Sequence, residues 1–303
     1  MSVSAEPVPA RERLMALVPP GARRAAAGGI LGWRALTGRW RGLPDTLIIG
    51  TMRGGTTSLF RWLAAHPDVA ASLRKEVGYF TSHYHRGEGW YRAHFPIGGA
   101  AGANRAGAER RRLEASPDYM LDPRAAERAA ALVPDARILV LLRDPVDRAW
   151  SHYRVLSRIG AESLPFEEAM EAEEERLAPA WRRLASWPDA PLPREIIDWS
   201  YGARGRYAEQ LARWRACFPH QQFLLVRSED LYAHPAESYD RVLDFLGLRR
   251  FRPGFAVYAW DHGGGGTAGS APDDVRARHA PRFAETVARL RAEWVWDPGW
   301  SPQ

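Results

Sequence analysis

One cysteine, Cys217, occurs in 303 residues, so an intrachain disulfide is excluded and stability has to come from packing; such sparing use of thiols fits a reducing compartment. Lysine is equally scarce: Lys75 stands alone among 42 basic residues, all the others being arginine. No Cys/His cluster has metal-ligand spacing, no internal repeat recurs and no heptad pattern is sustained. Long apolar runs are missing too. The longest uncharged stretch near the N-terminus, Ala25 to Trp33, is about half of the ~20 residues a membrane-spanning helix needs, and it carries Gly28, Gly29 and Gly32. Glu6, Glu12, Pro19 and Pro20 interrupt the segment that a secretory signal would need to keep apolar. The expectation is a cytoplasmic chain without a transmembrane segment.

What is present is a composition of 46% hydrophobic and 26% charged residues, enough for one large core or two modest ones and incompatible with disorder throughout. A net charge of +6 favours an anionic partner without choosing between a nucleotide, an acidic glycan and a membrane face. The arginines are spread along the chain and are not gathered with aromatics into a stripe, which argues against nucleic acid. Residues 1–42 are rich in Ala, Arg, Gly and Pro and show no sustained period. They predict a leader, loosely ordered or helical, whose Arg and Trp residues suit peripheral contact with a membrane, ahead of a main domain over 43–303.

From Leu43 onward the pattern changes. Thr46-Leu47-Ile48-Ile49, the run from Arg137 to Leu142 and the run from Gln222 to Val226 lack alternation, as strands buried on both faces of a parallel sheet do. Helical periodicity predicts helices near 56–65, 122–133, 145–158, 166–178, 204–217 and 235–246. Strands alternating with helices predict an α/β fold with a central, mainly parallel sheet flanked by helices in three layers. Gly98 to Arg112 and Trp187 to Pro193 read as surface loops, and Gly263 to Gly266 as a further break.

Two motifs sit directly after predicted strands. Gly50-Thr51-Met52-Arg53-Gly54-Gly55-Thr56-Thr57-Ser58 joins the first strand to a helix, where glycines let backbone amides converge on an anion and the helix dipole favours negative charge. A Walker-type nucleotide loop would carry Lys after the last Gly, and Thr56 stands there instead, which speaks against a P-loop kinase-like phosphotransferase. Arg143-Asp144-Pro145, followed by Arg148 and Ser151, begins the helix after the second long strand. Pro145 suits the first helical turn, so Arg143 and Ser151 are able to face one ligand.

These motifs resemble those of the sulfotransferases that use 3′-phosphoadenosine 5′-phosphosulfate (PAPS), especially bacterial relatives of the glycosaminoglycan and carbohydrate sulfotransferases. The resemblance implies a P-loop-type fold, PAPS as sulfonate donor, and transfer to a hydroxyl or amine of a small-molecule or glycan acceptor, with a glycolipid among the candidates. It assigns Arg53 to the leaving-group side, Gly54, Gly55, Thr56, Thr57 and Ser58 to the 5′-phosphate, and Arg143 and Ser151 to the 3′-phosphate, with Arg148 structural and paired to a carboxylate. Lys75-Glu76-Val77-Gly78-Tyr79-Phe80 resembles the segment whose Glu removes the acceptor proton, so Glu76 is the candidate general base. His83, His85 and His94 lie nearby and are the alternative bases, but without a motif they read first as polar surface or loop residues. Lys75, singular in an arginine-rich chain, suits a compact charge near the bridging oxygen or sulfonate, making it a third catalytic candidate with Glu76 and Arg53. A sulfonate in transit carries less charge than a phosphoryl group, so no metal is required.

The resemblance runs from about residue 44 to 300 through Glu114-Ala115-Ser116-Pro117-Asp118-Tyr119, Arg204-Gly205-Arg206-Tyr207, Trp214, Glu229-Asp230-Leu231 and Phe245-Leu246-Gly247-Leu248. Trp214 and Phe245 read as core, and Tyr207 as packing or as acceptor-cleft lining. Arg53 replaces a more usual Lys, and Ala115 replaces a Lys of the animal glycosaminoglycan enzymes. Gly263 to Ser270 gives no basic match to their C-terminal hairpin. A non-catalytic nucleotide-binding relative is the alternative these departures keep open.

Overall fold

Neighbouring side chains on a strand point to opposite faces, so a strand buried on both sides feeds two cores. In β1 (Thr46–Gly50), Leu47 and Ile49 enter one core and Ile48 the other, all three fully buried. β2 (Val69–Ala71), β3 (Arg111–Ala115), β4 (Arg137–Leu142) and β5 (Phe223–Arg227) complete a five-stranded sheet in the order β2-β3-β1-β4-β5. Every pairing is parallel. This is a computed structural model, and it describes residues 29, 31–98, 107, 109–255 and 269–300.

Parallel strands need crossovers, and helices supply them on both faces. α1 (Thr56–Ala64) follows β1 and α2 (Gly87–Arg92) precedes β3. α3 (Ala125–Leu132) leads to β4, and α4 (Pro145–Arg158) leaves it. α5 (Phe166–Glu171), α6 (Glu173–Ser186) and α7 (Arg194–Trp199) form an excursion before α8 (Tyr207–Cys217) returns the chain to β5. α9 (Ser228–Ala233), α10 (Pro235–Leu246), α11 (Asp273–His279) and α12 (Ala284–Trp294) follow. Leu47, Ile138, Val140 and Leu142 pack with Ala129 of α3, Leu211 and Trp214 of α8 and Leu290 of α12. On the opposite face Ile48, Leu139 and Leu141 meet Leu59 and Leu63 of α1 and Val242 and Leu243 of α10. The expected three-layer α/β architecture is therefore present, with Trp214 in its core and Phe245 half-buried against it.

Three local expectations are corrected. The helix expected over 166–178 breaks at Ala172 and resumes through Pro179 to Ser186. The helix expected from 204 starts at Tyr207, because Ala203–Gly205 form a 3-10 turn. Gly98–Arg112 is not loop to its end: β3 begins at Arg111, and the guanidiniums of Arg111 and Arg112 reach out to the carbonyls of Leu246 (3.2 Å) and Leu43 (2.6 Å). β2 and β3 went unpredicted. Of the leader, residues 31–36 are helical, and Arg34 donates to the Ala93 and Phe95 carbonyls at 2.6 Å each. The expected break at Gly263 to Gly266 lies outside the described residues.

Candidate active site

The helix that begins α1 has no side-chain cap: its N-cap is Gly55, at φ +93°, where an L side chain is strained. The first amides of a helix have no intrahelical acceptor, so those after Gly55 are available to an anion. A Cβ on Gly55 would also lie 2.9 Å from the Tyr232 hydroxyl, and one on Gly54 3.2 Å from the Leu141 carbonyl. The glycines are thus dictated by close approach as much as by the turn. Thr56 and Ser58 are buried while Thr57 is half-buried, and the Ser58 hydroxyl bonds Tyr232. Ser228 donates from Oγ to the Gly54 carbonyl at 2.6 Å and so ties the loop to the end of β5.

The second motif closes on the first. Arg53 Nε donates to Ser151 Oγ at 3.0 Å, and Arg143 Nη1 reaches the Arg53 carbonyl at 3.4 Å. Unlike α1, α4 caps itself: Asp144 accepts from the amides of Val146 (2.9 Å) and Asp147 (3.0 Å). Its own carboxylate therefore occupies that helix terminus, and burial raises the Asp144 pKa. Glu229 Oε1 accepts the Asp144 amide at 2.9 Å, and the Tyr207 hydroxyl donates to the Arg143 carbonyl at 2.8 Å. Tyr207 is fully buried, so it packs and positions. Ser228, Tyr232 and Glu229 were not identified as supports, since only tertiary contact gives them that role.

Lys75 and Glu76 share the third piece. Lys75 Nζ donates to Glu76 Oε1, with the Lys75 side chain 17% exposed and the Glu76 side chain 59%. Glu76 lies in the left-handed region, φ +62°, and is held by its amide on the Ala115 carbonyl (2.8 Å) and by Arg74 Nη2 on its own carbonyl (2.9 Å). The Glu76 turn thus hangs from the last residue of β3, the glycine loop leaves the end of β1, and Arg143 directly follows β4. These are adjacent strands running in one direction, whose spacing of about 4.8 Å puts the outer two on the order of 10 Å apart. All the motifs emerge at the carboxyl edge of the sheet, where open α/β folds bind ligands.

Other expected residues fall elsewhere. Arg148 is fully buried and donates to the Tyr201 carbonyl rather than to a carboxylate; burial lowers its pKa to about 10, with Glu173 opposing. His94, expected at the surface, is 1% exposed against Trp90, and burial lowers its pKa to about 4. His83 is half-buried, and His85 is exposed as expected. His152, beside Ser151, is held neutral by burial and by Arg148, Arg204 and Arg53. Among the described residues no group of three His, Cys, Asp or Glu is arranged to hold a metal ion, and no helix is long and apolar enough to cross a membrane.

Human heparan sulfate glucosamine 3-O-sulfotransferase 6 is 36% identical over 210 residues, covering 69% of this chain and 54% of that protein. Human bifunctional heparan sulfate N-deacetylase/N-sulfotransferase 3 is 32% identical over 215 residues, covering 68% and 22%. The chain spans about half the length, or less, of these curated relatives. A sulfotransferase from Alicyclobacillus acidocaldarius superposes with a TM-score of 0.65 at 29% identity, over 84% of this chain and 97% of that one. The sulfotransferase domain model matches residues 43–253, and with it the loop, the turn and the arginine helix assembled above: the chain belongs to the sulfotransferase domain family.

Proposed function

We propose that the protein transfers a sulfonate group from PAPS to a hydroxyl or amine of an acceptor, within a catalytic unit over 43–303 preceded by the 1–42 leader. The observation that carries this is the 3.0 Å contact of Arg53 with Ser151, which joins two motifs 98 residues apart into one anion-binding surface. The amides following Gly55 receive the 5′-phosphate. Arg143 and Ser151 receive the 3′-phosphate, the guanidinium through charge-assisted bonds. Glu76 accepts the acceptor's proton while the acceptor atom bonds to sulfur opposite the departing oxygen. Arg53 and Lys75 neutralise that oxygen as it keeps the electron pair of the broken S–O bond. Adenosine 3′,5′-bisphosphate and the sulfated acceptor are the products, and positioning with electrostatics supplies most of the acceleration without a metal.

The relatives named for heparan sulfate support a carbohydrate or glycolipid acceptor. Ala115, at the end of β3 where animal glycosaminoglycan enzymes carry Lys, argues against transferring their polymer to this chain. The reading keeps the cytoplasm as compartment. Its test is calorimetric titration with adenosine 3′,5′-bisphosphate. Arg143→Ala is expected to weaken binding by about 10- to 100-fold, in line with ~1.5–3 kcal/mol for hydrogen bonds to charged groups. Glu76→Gln should bind as wild type. Full affinity in Arg143→Ala would overturn the assignment.

A further inference from the structure

Beneath the Lys75–Glu76 turn lies a carboxylate that the mechanism above does not use. Glu114, on β3, is fully buried, and among the described residues no cation is a hydrogen-bond partner of its carboxylate. Its neighbours are hydroxyls and a backbone amide. Ser116 donates to Oε1 at 2.6 Å, Tyr91 on α2 donates to Oε2 at 3.4 Å, and the Tyr119 hydroxyl bonds the same carboxylate. An amide in the Val77 segment completes the set.

Two of these hydroxyls have a second task. Ser116 Oγ accepts the Gly78 amide at 2.9 Å, and Tyr119 Oη accepts the Tyr79 amide at 2.9 Å. A hydroxyl has one proton, and it receives an amide on a lone pair only if that proton points elsewhere. An ionised carboxylate is acceptor-only and takes both protons. Removing its charge, or replacing one oxygen by a donor, takes an acceptor away from one of these hydroxyls, so that its proton turns to another partner and its hold on the amide weakens. The left-handed backbone of Glu76 costs on the order of 1–3 kcal/mol and persists only where its surroundings over-determine it. The Gly78 and Tyr79 amides add to the Ala115 and Arg74 contacts that hold it.

We propose that Glu114 is a positioning residue for the turn that carries the general base: its carboxylate orients the Ser116 and Tyr119 hydroxyls so that they hold the Gly78 and Tyr79 amides and thereby the backbone of Glu76. The part concerning catalysis rests on Glu76 being the base; the part concerning the turn does not. Burial raises the Glu114 pKa to about 7 against its hydrogen bonds from Ser116, Tyr119, the Val77 segment and Tyr91, so the hub changes charge near neutrality.

The test is hydrogen exchange of the full chain across residues 76–80, corrected for intrinsic rates and followed from pH 6 to 8, alongside adenosine 3′,5′-bisphosphate titration. Wild type should gain protection as pH rises through about 7. Glu114→Gln should exchange this segment about tenfold faster and lose that pH dependence, with nucleotide affinity within about twofold of wild type. Ser116→Ala removes the Gly78 acceptor itself and shows how much protection that bond gives, and if Glu114→Gln does not fold the wild-type pH profile carries the test. Unchanged protection and an unchanged pH profile in Glu114→Gln, or a flat profile in wild type, overturn the proposal. Turnover surviving in Glu76→Gln while Glu114→Gln still loosens the turn overturns the assignment of the base and leaves the positioning intact.

Discussion

At the residue scale, side chains of the candidate site have partners far away in sequence. Ser151 is 2% exposed and already engaged by Arg53, so it is oriented before any ligand arrives. Ser151→Ala should cost about 0.5–1.5 kcal/mol of nucleotide affinity, a factor of roughly 2 to 13, and a calorimetric titration checks it. His94 makes a different prediction. Its folded pKa, about 4, lies below the ordinary 6.5, so the unfolded chain binds more protons between those values. The contribution of neutral His94 is therefore complete above about pH 6.5 and is lost as pH falls towards 4. Melting temperature should drop between pH 7 and pH 5 in wild type, and His94→Leu should flatten that drop; an unchanged slope would contradict a buried neutral ring.

At the scale of elements, the loop between β1 and α1 is the most constrained piece. Gly55→Ala meets both a positive φ and the Tyr232 hydroxyl, and should lower stability by about 1–3 kcal/mol while weakening nucleotide binding, seen together in a thermal melt and a titration. Much of this level was legible from sequence. β1, β4 and β5 declare themselves because strands covered on both faces must be apolar throughout, and α4 begins where Asp144-Pro145, and α10 ends where Gly247, say they should. β3 was hidden because its first two residues are arginines whose heads leave the sheet for the carbonyls of Leu246 and Leu43. β2 is only three residues long, too short for any period to show. The candidate site was legible as two motifs at strand ends. Its supports were not, since Ser228, Tyr232, Glu229 and Glu114 act through hydroxyl and carboxylate contacts that leave no local pattern.

For the whole molecule, the arginine excess finds a structural use beyond charge. Arg34, Arg41, Arg92, Arg112, Arg124, Arg137 and Arg148 donate to backbone carbonyls elsewhere in the chain, stapling segments with a forked group that lysine does not possess. Against that background Lys75 paired with Glu76 is the exception. If one nucleotide bridges the ends of β1 and β4, binding should stabilise the fold as a unit, by about 2.7 kcal/mol at 100-fold excess over Kd, read as a single shifted melting transition.

The most direct measurement is a crystal structure of the protein with adenosine 3′,5′-bisphosphate. The account predicts the 5′-phosphate on the amides of Thr56 to Ser58 and the 3′-phosphate on Arg143 and Ser151, within one cleft that also presents Glu76. A nucleotide bound in a cleft lacking either cluster, or one whose two phosphates both engage the same cluster, would contradict it.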